Sequence, residues 1–194
     1  MDLVISRATA GDAPDLGIVG PAAYAAAYHD DWDDAVGFFH HVKTFGPKAM
    51  AATLEREDAR VWIARQEGAG VGFLTMFVGS LEPISQRPNG AEIPRIYLLP
   101  GARRGGIGKK LLEAAEAQAK SEGCEYVWLD VMEHAEWARA AYERWGFADI
   151  DFQGVVNAGL LNEVEATVAA GAAPAAARKW WMSEISRIAN AEGV

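Results

Sequence analysis

Residues 100–123 read Pro-Gly-Ala-Arg-Arg-Gly-Gly-Ile-Gly-Lys-Lys, followed by an alanine- and leucine-rich run that closes at Gly123. A basic glycine turn at the start of a helix suits anion binding. Glycine lets backbone N–H groups approach a ligand closely, and the helix N-terminus adds positive potential. Arg103, Arg104, Lys109 and Lys110 contribute formal charge. Two nucleotide loops are excluded by spacing. A Walker A loop carries glycine five residues before its Gly-Lys pair and a hydroxyl residue after it. Here those positions hold Arg103 and Lys110. The dinucleotide fingerprint requires a third glycine where Leu111 stands. What remains is Arg103-x-x-Gly106-x-Gly108 between a strand and a helix.

The surroundings narrow the chemistry. The chain has 194 residues and a net charge of −9. That charge argues against a nucleic-acid partner and favours cationic ones. No apolar run reaches the roughly 18 residues of a membrane span. The N-terminus lacks a basic segment followed by an apolar one, so a cytoplasmic protein is expected. The single cysteine, Cys124, excludes an internal disulfide and a cysteine-rich zinc site, and it is expected to be a small buried apolar group. His29, His40, His41 and His134 show no metal-ligand spacing, so no metal is expected.

The elements follow from periodicity and punctuation. Leu3–Thr9 alternates as a strand. A helix starts near Thr9 or Asp12, with Pro14 in its first turn, and runs to about residue 28. One or two further helices follow, broken at Gly46-Pro47. A hairpin pairs Val61–Arg65 with Val71–Val78 across a turn at Glu67–Gly70. Ala91–Pro100 is a strand, irregular at Pro94. Arg103–Glu122 is a helix, Glu125–Met132 a strand, Ala135–Trp145 a helix, and the run from Phe147 another strand. The order predicts one mixed-sheet α/β (α+β) domain over residues 1–155. Residues 156–194 form an alanine-rich extension, which either packs on that domain or makes a homodimer contact.

Arg103-x-x-Gly106-x-Gly108 after a strand resembles motif A of the GCN5-related N-acetyltransferases, the GNAT superfamily. About 25 residues on, Ala135–Phe147 resembles motif B, Asn-x-x-Ala-x-x-x-Tyr-x-x-x-Gly-Phe, with Ala138, Tyr142, Gly146 and Phe147 in register. Glu92, Arg95, Ile96, Tyr97, Trp128, Leu129, Val131 and Glu133 further resemble the PaiA-type branch, the spermidine/spermine N-acetyltransferases. The chain departs from these patterns at Ala135, where motif B has asparagine, and at Asp130 and Met132.

The resemblance implies a central sheet of six or seven strands, splayed between the fourth and fifth and flanked by helices. It implies acetyl-CoA as cosubstrate and direct transfer to a small amine in a ternary complex, the alternatives being a protein N-terminus or lysine as acceptor, or an acyl-CoA-binding regulator without turnover. It assigns the cofactor to Tyr97, Leu98, Arg103, Arg104, Gly105, Gly106, Ile107, Gly108, Lys109, Ala135, Ala138 and Tyr142. It makes Tyr142 the general acid and Glu92 the base, with Asp130 and Glu133 as substitutes and a backbone N–H near Leu98 as the oxyanion contact. It also sets the N-terminal helices over the acceptor. There Asp31, Trp32 and Asp33 of His-Asp-Asp-Trp-Asp-Asp could bind a polyamine-like cation by charge and cation–π contact.

Overall fold

The computed structural model describes residues 2–81, 88–129, 131 and 135–147. The chain runs β1 (Leu3–Arg7), α1 (Ala13–Tyr28), α2 (Ala35–Lys43), α3 (Pro47–Leu54), β2 (Ala59–Gln66), β3 (Ala69–Val78), β4 (Gly90–Leu98), α4 (Ile107–Ser121), β5 (Tyr126–Leu129) and α5 (Glu136–Arg144). Among the described residues five strands form one sheet, in the order β1-β2-β3-β4-β5. β1 to β4 pair antiparallel with one another in that order. The Glu125 N–H donates to the Asn89 carbonyl at 2.8 Å. Both residues stand just ahead of their strands, so β4 and β5 begin side by side and run the same way, with α4 as the crossover. This is the expected mixed α/β class. The further strand expected from Phe147, the boundary expected after residue 155 and the extension lie outside the described residues. Two compact units are distinguished: residues 2–80 with 89–127, and a second holding residues 81, 88, 128, 129, 131 and 135–147 among those described.

Local chemistry explains the element boundaries. The Thr9 N–H and hydroxyl both donate to Asp12 Oδ2, at 2.6 and 2.9 Å, where the chain turns into α1. The Arg65 guanidinium reaches Asp12 and Asp15, at 2.6 and 2.9 Å, and ties that helix start to β2. The Thr9 backbone N–H, reinforced by the Thr9 hydroxyl and Arg65, holds the Asp12 carboxyl below its usual range. The hairpin turn is shorter than the sequence predicts. Only Glu67 and Gly68 lie between the strands, both left-handed, at φ 52° and 82°. Two such residues match the twist of the flanking strands. At the end of α4, Cys124 N–H donates to Ala119 O and Gly123 N–H to Lys120 O, with Gly123 at φ 82°. This pair of bonds closes the helix on a left-handed glycine. Cys124 is half-buried there, more open than its type predicts.

Each face of the sheet has its own core. Leu16, Val19, Met50, Val61, Ile63 and Phe73 form one cluster, under α1 and α3. Trp62, Leu74 and Met76 face the other way, where α4 brings buried Leu111, Leu112 and Ala115. Arg60 ties β2 to the end of α4 through a two-pronged pair with Glu122, at 2.7 and 2.6 Å. The α1–α3 contact is close. A Cβ on Gly17 would lie 2.5 Å from the backbone nitrogen and ring of Pro47. Gly17→Ala is therefore expected to cost about 1–3 kcal/mol, outweighing the roughly 1 kcal/mol gain in helix propensity. Urea denaturation measures this. A variant as stable as the parent would show that α3 moves away freely.

Candidate active site

The basic turn sits between β4 and α4. After a single turn at Pro100–Ala102, Arg103 and Arg104 are exposed. Gly105 and Gly106 are left-handed, at φ 95° and 75°. The helix predicted from Arg103 therefore starts later, at Ile107, because two consecutive left-handed residues break helical geometry. The first backbone bond of α4 is Lys110 N–H to Gly106 O, at 3.0 Å. The N–H groups of Ile107, Gly108 and Lys109 thus precede the intrahelical ladder and remain available to an anion. Buried Ile107 anchors the turn to the core. Lys109 lies 3.7 Å from Glu113 one turn along. Glycine backbone, open N–H groups and nearby cations fit a pyrophosphate.

β4 carries the next group of residues. Opposite it, Thr75 pairs with Arg95 and Phe77 with Glu92, so Met76 alone faces both Ile93 and Pro94. The extra residue is a bulge, and Pro94, which has no N–H to donate, occupies it. The consequence is geometric. In a regular strand Glu92 would share a face with Pro94 and Ile96. The bulge instead puts Glu92 on the face of Arg95 and Tyr97. Ser80 Oγ donates to Glu92 Oε2 at 3.1 Å. Further along, Leu99 N–H donates to Val71 O at 2.9 Å. Alternation along the strand then turns the Leu98 N–H to the opposite edge of β4.

Around Arg95 and Tyr97 the first unit collects aromatic rings. Tyr24 lies 5.1 Å from Tyr28, 4.5 Å from His41, 5.2 Å from Phe45 and 6.1 Å from Tyr97. The Arg95 guanidinium stacks 4.7 Å over Phe45. Burial pushes the Tyr28 phenol up to about 12, and Arg103 opposes that shift. Arg103 therefore acts on the end of α1 as well as on the turn. Burial lowers the His41 pKa, and the Arg95 charge lowers it further.

The acidic stretch is partly structural. Asp34 caps α2 by accepting from the Val36 and Gly37 N–H groups, at 2.9 and 3.0 Å. Trp32 Nε1 donates to Tyr24 Oη at 3.1 Å, with its ring 5.8 Å from Phe38. Asp33 is exposed, and Asp31 and Trp32 are half-buried.

Tyr142 belongs to the second unit. Ala135, the N-cap of α5, and Ala138 are buried. At the other end, Phe147 N–H donates to Tyr142 O and Gly146 N–H to Glu143 O, both at 3.0 Å, with Gly146 at φ 95°. The Phe147 ring sits 5.7 Å from that of Tyr142. Both bonds and the ring contact make a Schellman end. The Gly-Phe pair of motif B thus fixes the half-buried Tyr142. Asp130, Glu133 and His134 lie outside the described residues.

Sequence reasoning missed the aromatic cluster and gave Arg95 no role. The spacing of Tyr24 and Tyr28, four residues apart on a helix, was the available signal. Thr75 carries no such signal.

The acetyltransferase (GNAT) family model matches residues 24–147. The chain belongs to that family. It is an acyltransferase by that membership. The GNAT fold also appears in solved structures. A PaiA N-acetyltransferase from Thermoplasma acidophilum, in complex with coenzyme A, has TM-score 0.68 and 21% identity, over 78% of this chain and 92% of that one. An aminoglycoside acetyltransferase from an uncultured soil metagenomic sample, in complex with trehalose, has TM-score 0.56 and 23% identity, over 75% and 88%. A separate likeness is local. One of the subunits of the aspartyl/glutamyl-tRNA(Asn/Gln) amidotransferase of Leifsonia xyli subsp. xyli is 70% identical over 50 residues, 26% of this chain. That match spans 10% of the amidotransferase chain's own length. No helix among the described residues is long and apolar enough to cross a membrane, and none of their His, Cys, Asp and Glu side chains form a metal-holding group.

Gly106→Ala tests the turn of this GNAT chain. An alanine held left-handed costs about 1–2 kcal/mol, so the free turn relaxes and binding must restore it. CoA affinity should fall roughly five- to thirty-fold, read by titration calorimetry. Undiminished affinity would remove the left-handed turn from the cofactor site.

Proposed function

We propose that this chain is an acetyl-CoA-dependent N-acetyltransferase acting on a primary amine of a small acceptor. The observation that carries the reading is the Gly105-Gly106 turn, which leaves three N–H groups of α4 open beside Arg103 and Arg104. That cradle suits the pyrophosphate of CoA, and the similar PaiA protein was solved with coenzyme A. The thioester supplies an activated acetyl group. The acceptor nitrogen attacks its carbonyl carbon directly, and the carbon–sulfur bond breaks without an acyl-enzyme. Glu92 takes the amine proton, through a water, and Tyr142 returns a proton to the sulfur. The Leu98 N–H, turned away from β3, meets the charge that develops on the carbonyl oxygen. On the acceptor side, Asp31, Asp33 and Trp32 support a polyamine-like cation, in line with the PaiA resemblance.

Tyr142→Phe keeps the ring contact with Phe147 and removes the acidic proton. It should lower kcat about 10²- to 10⁴-fold with little change in CoA affinity. Unchanged turnover would exclude Tyr142 as the acid. Glu92→Gln should lower kcat and change the pH–rate profile, and an identical profile excludes Glu92 as the base. Thiol detection of released CoA over polyamines, amino acids, aminoglycosides and peptides identifies the acceptor.

A second reading has its own observation, the 70% identity to part of an amidotransferase chain. In it, the shared segment docks this chain beside that amidotransferase. Size-exclusion co-elution of the full chain with the purified amidotransferase is then expected, and separate elution removes this reading.

A further inference from the structure

Arg95 is charged and half-buried, and no carboxylate pairs with it among the described residues. Its neighbours among the described residues include the Phe45 ring at 4.7 Å and the Met50 thioether, 4.0 Å from Nη1. The groups that act on its ionisation are burial and the Tyr97 phenol, and neither Asp nor Glu is among them. A thioether is a weak acceptor, and a guanidinium presents five donors. Directly across the sheet stands Thr75, fully buried, whose hydroxyl has no hydrogen-bond partner. Opposed residues on one face bring their side chains within about 5 Å. His41, the other basic group nearby, is held toward its neutral form. In a chain of net charge −9 this is a local excess of positive charge with spare donors. The β4 bulge puts it on the same face as Glu92, three residues away.

We infer that Arg95 and Thr75 form an anion subsite for the acceptor, and that the acceptor is an amine that also carries a carboxylate. The guanidinium fork matches a carboxylate with two parallel hydrogen bonds. The Thr75 hydroxyl supplies a further donor. The Phe45 ring stacks on the guanidinium and holds the fork flat. This inference rests on the acetyltransferase reading for its chemistry and adds a negative group to an acceptor otherwise recognised only as a cation. A diamino acid satisfies both demands, with its carboxylate on Arg95 and its free amine toward Glu92.

Matched pairs that differ by one carboxylate test it: ornithine against putrescine, lysine against cadaverine, and phenylalanine against phenethylamine. With acetyl-CoA saturating, the carboxylate member of at least one pair should show kcat/KM about ten- to a hundredfold higher. Arg95→Met should bring that ratio near one. Arg95→Lys, which keeps the charge but loses the fork, should retain part of it. Thr75→Val should also lower the ratio, while the melting temperature holds or rises because a buried unpaired hydroxyl is gone. Circular dichroism identifies which variants are folded. No advantage in any pair, or an advantage unchanged in the folded variants, overturns the subsite. If no amine releases CoA, the acetyltransferase reading fails by itself. Calorimetry of the same pairs on the CoA-saturated protein then decides the subsite: preferential binding of the carboxylate member, lost in folded Arg95→Met, upholds it, and equal binding overturns it.

Discussion

A β-strand has a period of two, and one extra residue in β4 changes what that period exposes. Because Ile93 and Pro94 together oppose Met76, Glu92 leaves the face it would share with Ile96 and joins Arg95 and Tyr97. Three residue types with different chemistry then line one strip of the sheet: a carboxylate, a guanidinium and a phenol. The rest of the first unit serves that strip. β3 supplies Phe73 and Thr75 beneath it, α1 supplies Tyr24 and Tyr28 over it, and α2 with the turn after it supplies His41 and Phe45.

Glycine sets the ends of the helices that matter for chemistry. At the start of α4, left-handed Gly105 and Gly106 delay the helix and leave its first N–H groups free of the ladder. At the ends of α4 and α5, left-handed Gly123 and Gly146 fold the last carbonyls back onto the chain. Motif A and motif B are therefore two uses of one freedom. In the first the backbone is opened toward an anion, and in the second it is closed so that Phe147 braces Tyr142.

In the acidic stretch two residues have structural tasks of their own. Asp34 looks like part of a cation-binding run, yet its carboxylate caps α2. Trp32 donates its N–H to Tyr24, a bond that positions the indole ring. Arg95, in a strand that reads as ordinary, carries a half-buried charge with no carboxylate beside it among the described residues.

The sequence by itself determined the elements and the two family motifs. Strand alternation, helix caps and the breaks at Gly46-Pro47 and Gly123 are local, and each is decided within a few residues. The two motifs are local too, which is why the anion turn and the tyrosine helix were legible, as was the irregularity at Pro94. Tertiary structure decided what needs distant residues. Which residue of β3 faces Arg95 depends on register, and register depends on pairing between strands. The start of α4 shifted by four residues because the sequence pattern registers helical residues, not the sign of φ at Gly105 and Gly106. The aromatic face around Arg95 is built from α1, α2, β3 and β4, from Tyr24 to Tyr97, and no window of sequence contains it. Its charge balance exists only once those elements pack and desolvate Arg95.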